Sequence, residues 1–212
     1  MSEPRVITAA VGFMEEIGRA LRSGEVVALP TDTVYGLVCR PESAERLFSL
    51  KGRSSDVNVQ VLIGRTRVAR SISTFPLLAE RLAHRFWPGA LTLVAKRTPD
   101  NHWNLGADRE TIGIRSPMHS VMFPLCLVHG PLAATSANLH GEPVATSAEE
   151  IAATFPGGSE GVSLILDRGE CGGVASTVVD VTGSEPRCLR QGAISWGDIL
   201  AAVEEGTRDT YY

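Results

Sequence analysis

The stretch Val26-Val27-Ala28-Leu29-Pro30-Thr31-Asp32-Thr33-Val34-Tyr35-Gly36-Leu37 begins with four apolar residues, and this run predicts a buried strand over residues 26–29. Pro30 ends the strand because proline cannot donate a hydrogen bond to a neighbouring strand. The hydroxyl groups of Thr31 and Thr33 then occupy alternate positions, so an extended backbone would turn both to one side. A plain strand edge of high β-propensity would explain the same two threonines.

Helical and strand patterns alternate along the rest of the chain, with both short and helix-length connections between strands. This order predicts an α/β fold whose sheet mixes parallel and antiparallel strands. Predicted helices cover residues 13–22, 43–50 with Ser43 as N-cap, 76–87, 119–127, 147–154 with a Ser147–Glu150 capping box, and 199–204 capped by Ser195. Further predicted strands cover residues 59–63, 91–95, 111–115, 132–134, 164–166, 177–181 and 188–190.

The composition is that of a globular domain with an ordinary core. Of the 212 residues 43% are hydrophobic and 21% charged, which argues against a disordered chain. The net charge of −4 argues against wholesale non-specific binding of nucleic acid, although a local basic pocket remains compatible with it. The sequence contains no signal-peptide pattern, no apolar run near the ~20 residues of a membrane span, and no Cys-x-x-Cys pair. We therefore expect a cytoplasmic protein without a zinc site and without a membrane.

The segment Leu50-Lys51-Gly52-Arg53 places two basic side chains on either side of a glycine. The chain holds 20 lysine and arginine residues, and only Lys51 and Lys96 among them are lysines. Lysine is a compact point charge and arginine a planar fork, so the two together can hold a polyanion such as a nucleotide triphosphate. The same residues also suit a basic cap at a helix C-terminus, with Gly52 just beyond the helix. The segment by itself favours the helix cap, because helix ends of this kind are common, and only the rest of the chain can favour the ligand site.

Polar side chains end or interrupt several of the predicted strands. Ligand sites of open α/β sheets lie beyond strand ends. Each polar residue alone suits a turn or a surface ion pair, whereas together they predict a pocket for an anionic ligand. The chain has no P-loop, no Gly-x-Gly-x-x-Gly fingerprint and no nucleophile elbow, so we expect the attacking group to come from a substrate. The polar residues are Thr31, Thr33, Thr111, Arg115, Ser136, Asn138, Ser176, Thr177 and Arg190.

The chain resembles the YrdC-like threonylcarbamoyl-AMP synthases in an ordered set of motifs. Pro30-Thr31-Asp32-Thr33-Val34-Tyr35-Gly36-Leu37 resembles that family's P-T-[ED]-T-V-Y-G-L, Lys51-Gly52-Arg53 its K-x-R, and Ser136-Ala137-Asn138 its S-x-N. Supporting segments are Phe86-Trp87-Pro88-Gly89-Ala90-Leu91-Thr92-Leu93, Thr111-Ile112-Gly113-Ile114-Arg115, Ser176-Thr177-Val178-Val179-Asp180, and Leu189-Arg190 before Gly192-Ala193-Ile194-Ser195. The resemblance covers the single-domain form, so we expect a tail over residues 1–9, one domain over 10–204 and a second tail over 205–212.

This resemblance implies a twisted open sheet of mixed direction, flanked by helices, with a deep, positively charged cavity. It also implies that L-threonine, bicarbonate and ATP react to give threonylcarbamoyl-adenylate and pyrophosphate. The enzyme would be a nucleotidyltransferase that uses ATP with Mg²⁺. Its product would be handed to the tRNA threonylcarbamoyl-transferase machinery, which modifies adenosine 37 of tRNA.

By matching position, the resemblance assigns the binding and catalytic roles of the family to nine residues of this sequence. L-threonine would be held by Thr33, Arg115 and Ser176. Lys51 and Arg53 would be the catalytic residues, and no protein side chain would be a metal ligand. ATP would be held by Lys51, Arg53, Thr111, Ser136, Asn138 and Arg190.

The chain departs from the family pattern at three places. Residues 54–58 replace a proline-containing loop, Leu62 stands where several members have histidine, and Gln191 replaces the proline of Leu-Arg-Pro-Gly. Because proline stiffens a loop, we expect these changes to act mainly on the loop that closes over the nucleotide and on the choice of substrate. Two other functions therefore stay open: binding of double-stranded RNA or tRNA without catalysis, and a related carbamoyl-adenylate enzyme with another carbamoyl source or acceptor. The acidic pI of about 5.8 argues against RNA binding as the main role.

Overall fold

The computed structural model describes residues 3–52, 58–158 and 160–208, and these residues form a single mixed sheet with helices on both faces. The strands are β1 Arg5–Thr8, β2 Val26–Leu29, β3 Gly36–Cys39, β4 Gln60–Leu62, β5 Ser73–Thr74, β6 Leu91–Arg97, β7 Thr111–Arg115, β8 Leu132–Ser136, β9 Val162–Asp167, β10 Thr177–Asp180 and β11 Arg187–Arg190. The helices are α1 Phe13–Arg22, α2 Glu45–Leu50, α3 Thr66–Ile72, α4 Leu77–Phe86, α5 Met122–His129, α6 Ala148–Thr154 and α7 Trp196–Arg208.

The order of strands across the sheet is β1-β9-β2-β3-β8-β4-β7-β6-β10-β11, and β5 pairs with β6 beside this path. Four pairs are parallel: β1 with β9, β9 with β2, β4 with β7, and β6 with β10. The other pairs are antiparallel. The prediction of an α/β fold with mixed strand direction is therefore confirmed.

Helix α1 illustrates how the sequence pattern produces the fold. Its bounds agree with the prediction, and Ile17, Ala20 and Leu21 are buried against the sheet. Acidic residues occupy its first turn and basic residues its last, where each sign of charge interacts favourably with the helix dipole. Gly24 adopts a φ of +74°, a left-handed conformation that lets the chain turn sharply into β2.

The two faces of the sheet are covered unequally. On one face, helices α2, α3, α4, α6 and α7 contribute to two apolar clusters that run along its length. On the other face, α1 and α5 cover an apolar cluster built mainly on β9, β2, β3 and β8. Beyond that cluster, the same face continues over β4, β7, β6 and β10 with small and polar side chains. This second part is therefore where a ligand can reach the sheet.

Four local predictions were wrong. Ser43 is not an N-cap, because residues 41–43 form a turn of 3₁₀ helix and α2 begins only at Glu45. The backbone from Thr31 to Thr33 is bent rather than extended, since Oγ1 of Thr31 accepts the N–H groups of Thr33 and Val34 at 3.1 and 3.2 Å. Helix α5 begins at Met122, three residues later than predicted. Helix α7 begins at Trp196, three residues earlier than predicted, and it continues beyond residue 204.

Four elements were not predicted: β1, β3, α3 and β5. Each is short, so its periodicity carries little signal. Strand β1 lies within the stretch expected to be an N-terminal tail, and it pairs with β9 from Arg5 to Thr8. The expected domain limits of 10–204 stay a prediction. Of the helices in the described ranges, none has the length and apolar character needed to cross a membrane.

The N-cap of α6 generates a stability prediction. Oγ of Ser147 accepts the N–H of Glu150 at 3.3 Å, and the Glu150 carboxylate accepts the N–H of Thr146 at 2.7 Å. Ser147→Ala removes one of these bonds, so we expect a loss of about 1 kcal/mol in the free energy of unfolding, measured with urea. Ser43→Ala is the matched control, since Ser43 caps no helix, and its cost should stay within about 0.5 kcal/mol. Equal losses in the two variants would contradict the assignment.

Candidate functional site

A cleft of about 460 Å³ lies over the uncovered part of the sheet. Its floor consists of β4, β7 and β6, and its walls come from the Thr33 turn, the end of β8, and the segment from Ala175 to Val178 with Leu189 and Arg190. Six of the nine predicted site residues line it: Thr33, Thr111, Arg115, Ser136, Ser176 and Arg190. Its described lining includes two arginines and one carboxylate; a deep, positively charged cavity stays a prediction.

Arg115 is the best-anchored charged side chain of the cleft, with 2% of its surface exposed. Strand β7 directs it towards the turn at residues 31–34. Its Nε donates to the carbonyl of Gly89 at 2.9 Å, Nη1 to Oγ1 of Thr33 at 3.0 Å, and Nη2 to Oδ1 of Asp32 at 2.5 Å. A guanidinium has five N–H donors. In the described structure, two of these donors, one on each terminal nitrogen, are left for a ligand.

Asp32 is a site residue that the sequence reasoning missed, although it lies inside the quoted Thr-Asp-Thr motif. Its carboxylate is the counter-ion of the buried Arg115. Burying a charge without a partner is unfavourable, and the Asp32 carboxylate offsets part of the free-energy cost of burying Arg115. The signal was available, because an acidic residue between two threonines at a strand end is a ready partner for a nearby arginine.

Arg190 and Ser176 form the opposite wall of the cleft. Nε and Nη2 of Arg190 donate to the Ser176 carbonyl at 3.2 and 2.9 Å, and Nη2 also reaches Oγ of Ser176 at 3.2 Å. Burial, and then the positive charge of Arg115, lower the pKa of the Arg190 guanidinium. Two guanidinium groups that repel one another across a cleft favour the binding of an anionic ligand between them.

Gln60 and Thr92 also line the cleft and were missed. Oγ1 of Thr92 donates to Oε1 of Gln60 at 2.8 Å and lies 2.9 Å from Oγ of Ser176. Each residue stands between buried apolar neighbours of its own strand, Val59 and Val61 in one case and Leu91 and Leu93 in the other. A polar residue that alternates with buried ones indicates a sheet face without an apolar cover, and that signal could have identified both.

Lys51 joins helix α2 to the end of β8. It is the C-cap of α2, Gly52 follows with a φ of +56°, and only 4% of the lysine is exposed. Its Nζ donates to the Ser136 carbonyl at 2.7 Å and to Oδ1 of Asn138 at 2.8 Å. Lys51 thus caps a helix and also contacts Ser136, which lines the cleft. The helix-cap and the ligand-site interpretations of the segment are therefore compatible. Arg53 lies outside the described residues, as do residues 54–57 of the atypical loop.

Thr111 faces the cleft, but its hydroxyl already donates to the carboxylate of Asp108. Oδ1 of Asp108 also accepts the N–H groups of Glu110 and Thr111, at 2.8 and 3.1 Å. The Thr111 hydroxyl, aided by these backbone groups and opposed by burial, lowers the pKa of Asp108. Asp108 was missed because it lies in a polar loop with no pattern to mark it.

The remaining polar residues of the prediction lie outside the cleft. Oγ1 of Thr177 donates to the carbonyl of Ile194 and accepts the N–H groups of Gly192 and Ile194, so it holds the turn after β11. Oγ1 of Thr31 donates to the Val34 carbonyl within its own turn. Leu62 is fully buried in the apolar cluster beside the cleft. Within the described ranges, no three His, Cys, Asp or Glu side chains come together as metal ligands would.

Most of the chain is similar to a known protein family and to its curated members. A family model described as "Telomere recombination", covering the Sua5, YciO and YrdC proteins, matches residues 19–192. A relative from Mycobacterium tuberculosis, named provisionally as a threonylcarbamoyl-AMP synthase, is 37% identical over 189 residues, which are 87% of this chain and 85% of the relative. The threonylcarbamoyl-AMP synthase of Bacillus subtilis is 39% identical over 190 residues, 86% of this chain and 54% of that protein.

A solved structure agrees with the fold. Pyrococcus abyssi Sua5 complexed with L-threonine matches with a TM-score of 0.85 and 32% sequence identity. The match covers 95% of this chain and 61% of that chain, so this protein spans somewhat less than two thirds of the Sua5 structure.

The contact between Gly173 and Thr33 generates a prediction about the cleft wall. A Cβ on Gly173 would lie 2.1 Å from the backbone oxygen of Thr33, whereas one on Gly172 would meet nothing nearer than 4.0 Å. Gly173→Ala should therefore destabilise the protein by about 1–3 kcal/mol in urea unfolding, because two backbone segments must separate. Gly172→Ala is the matched control and should cost less than about 0.5 kcal/mol. A neutral Gly173→Ala variant would refute this packing.

The lowered pKa of Asp108 generates a pH prediction. A carboxyl whose pKa is lowered by folding contributes stability above its unfolded pKa, and this contribution is lost as the pH falls through the folded pKa. The gap in unfolding free energy between wild type and Asp108→Asn should thus be full at pH 7 and shrink as the pH falls below the ordinary value of 3.8. Urea unfolding from pH 7 to pH 3 measures it. Asp100→Asn, an exposed carboxyl outside the cleft, serves as control; a gap that widens on acidification would be incompatible with the Asp108 contacts.

Proposed function

This chain belongs to the Sua5–YciO–YrdC family, and on that premise we propose that it is an L-threonylcarbamoyladenylate synthase. The reaction would join L-threonine, bicarbonate and ATP into threonylcarbamoyl-AMP, with release of pyrophosphate and water. One observation supports this assignment above all: a single cleft has Arg115 with Thr33 at one side and Ser136, bonded to Lys51, at the other. Such a pair of cationic centres suits a substrate with a carboxylate and a substrate with a triphosphate.

The amino acid would bind at Arg115. Its carboxylate would accept hydrogen bonds from the two N–H groups of Arg115 that have no partner among the described residues. Guanidinium groups favour this bidentate geometry with a carboxylate. The hydroxyls of Thr33 and Ser176, both buried beside the arginines, would contact the amine and the side-chain hydroxyl. We propose these three residues as the L-threonine site.

ATP would bind across the cleft towards β8. Lys51, Arg53 and Arg190 would neutralise the triphosphate and the leaving pyrophosphate, and Lys51 and Arg53 would be the catalytic residues. Thr111, Ser136 and Asn138 would contact the nucleotide by hydrogen bonds. The described lining does not form a resident Mg²⁺ site, because its one carboxylate, Asp108, is already engaged by Thr111 and Glu110. Mg²⁺ would therefore arrive on the phosphates of ATP.

The chemistry follows from this placement. The lone pair of the threonine amine forms a C–N bond with bicarbonate-derived CO₂, and the nitrogen loses a proton, which leaves a carbamate. A carbamate oxygen then forms a bond to the α-phosphorus, and the bond from that phosphorus to the β-phosphate oxygen breaks. The electron pair leaves with pyrophosphate. The protein supplies position and charge, since both nucleophiles belong to substrates.

The proposed product has a mixed anhydride that transfers its carbamoyl group readily to an amine. We propose that it is handed to the tRNA threonylcarbamoyl-transferase machinery, which modifies adenosine 37, and that the enzyme belongs to the nucleotidyltransferases. We also propose that residues 10–204 carry this function as one domain. Strand β1 adds to the same sheet outside those limits.

The test is the release of pyrophosphate by purified protein supplied with ATP, bicarbonate and L-threonine. We expect release that requires L-threonine. Arg115→Lys, which cannot donate bidentately, should raise the KM for L-threonine about tenfold or more. Arg70→Lys is the matched control, because Arg70 forms an exposed ion pair with Glu80 on the surface.

Folded protein without threonine-dependent release would refute the proposal. AMP formation that depends on carbamoyl phosphate would identify the related enzyme with another carbamoyl source. Salt-dependent binding of RNA that is lost in Lys51→Ala and unaffected by ATP would instead identify an RNA-binding module.

A further inference from the structure

Gln60 carries a hydrogen-bond donor that the described structure does not use. It begins strand β4, is partly buried, and lines the floor of the cleft. Its Oε1 accepts the hydroxyl of Thr92 at 2.8 Å. Within the described residues, its amide nitrogen Nε2 donates to no partner, and the residue itself lines the cleft. A partly buried amide donor in a ligand cleft favours an acceptor on the ligand.

Gly113 makes this arrangement possible. The side chain of Gln60 reaches Thr92 across strand β7, which lies between β4 and β6. It does so at Gly113, where a Cβ would come 3.4 Å from Cγ2 of Thr92 and 3.7 Å from Cβ of Gln60. The absence of a side chain at Gly113 thus gives the amide access to the floor of the cleft.

The orientation of the amide is set by its neighbours. Thr92 also contacts Oγ of Ser176 at 2.9 Å, and Ser176 is held in turn by Arg190. Because this chain of hydrogen bonds ends on Oε1 of Gln60, the NH₂ group is the end that faces a ligand. The site at Gln60 therefore selects a hydrogen-bond acceptor.

The position of Gln60 identifies which acceptor. Strand β4 lies between β8, which carries Ser136, and β7, which carries Arg115. Gln60 is thus placed between the two ends of the cleft where the triphosphate and the amino acid would bind. In the proposed reaction, the group between the amine and the α-phosphorus is the carboxyl derived from bicarbonate.

We propose that Nε2 of Gln60 donates a hydrogen bond to an oxygen of that carboxyl group, as bicarbonate enters and while it forms the carbamate. Gln60 is then a binding residue for the one-carbon substrate, and Thr92 is the positioning residue that orients it. This inference rests on the proposed synthase function. It assigns the contact with bicarbonate to Gln60 and the orientation of Gln60 to Thr92.

The experiment compares wild type with Gln60→Leu in the pyrophosphate assay, with bicarbonate titrated into degassed buffer. We expect the KM for bicarbonate to rise about tenfold or more, as for the loss of one hydrogen bond to an anion, while the KM for L-threonine changes less than about twofold. Gln60→Glu keeps an acceptor for Thr92 and replaces the donor by an anion, so it should impair bicarbonate use more than Gln60→Leu does. Glu15→Leu, a polar-to-leucine change at an exposed residue of α1 that does not line the cleft, is the control.

The possible outcomes separate the role of Gln60 from the proposed synthase function. An unchanged KM for bicarbonate in both Gln60 variants, or an equal rise in the KM for L-threonine, overturns the role of Gln60 while wild-type activity upholds the synthase. A folded wild type without threonine-dependent release overturns both. Thr92→Val, which frees the amide without removing it, should raise the KM for bicarbonate less than Gln60→Leu does, and a larger rise would contradict the positioning role. If Gln60→Leu fails to fold, as judged by circular dichroism, Gln60→Glu alone decides.

Discussion

The structure depends on the burial of one guanidinium group. Arg115 is almost completely enclosed, and an enclosed charge requires partners from the protein. Those partners come from two segments far apart in the chain, the Thr-Asp-Thr turn after β2 and the turn at Gly89 before β6. The same contacts fix the positions of Arg115 and Thr33, which both line the cleft. A ligand carboxylate would meet a charge whose position is already determined, which lowers the entropy lost on binding.

The second determinant of the site is a sheet with one incompletely covered face. Helices α1 and α5 bury the apolar side chains of β9, β2, β3 and β8, and the same face continues over strands whose alternate residues are small or polar. Gly113 lies in the middle of this region, so side chains from β4 and β6 meet above it. The cleft is therefore a consequence of side-chain pattern within strands rather than of a special loop.

Much of this could be predicted from the sequence, and the failures have physical causes. Eight of the eleven strands and α1 were predicted from their periodicity, and the polar residues at strand ends indicated the site. Ser43 failed as an N-cap because the chain satisfies the start of α2 through a preceding 3₁₀ turn. The Thr31 hydroxyl bends its own backbone, which β-propensity does not take into account. Asp32, Gln60 and Thr92 were missed because their partners lie on other strands, and Asp108 was missed because it lies in a polar loop without a pattern.

The sequence by itself determined the fold class, the family and six residues of the cleft lining, because local periodicity and ordered motifs are properties of neighbouring positions. Only the tertiary structure decided which side chains meet. Strands β4, β7 and β6 are separated along the chain by loops and by helices α3 and α4, and their lateral order puts Gln60, Gly113 and Thr92 side by side. Likewise, Lys51 reaches Ser136 and Asn138 only because α2 ends beside β8. Contacts of this kind depend on three-dimensional packing, which spacing along the chain does not encode.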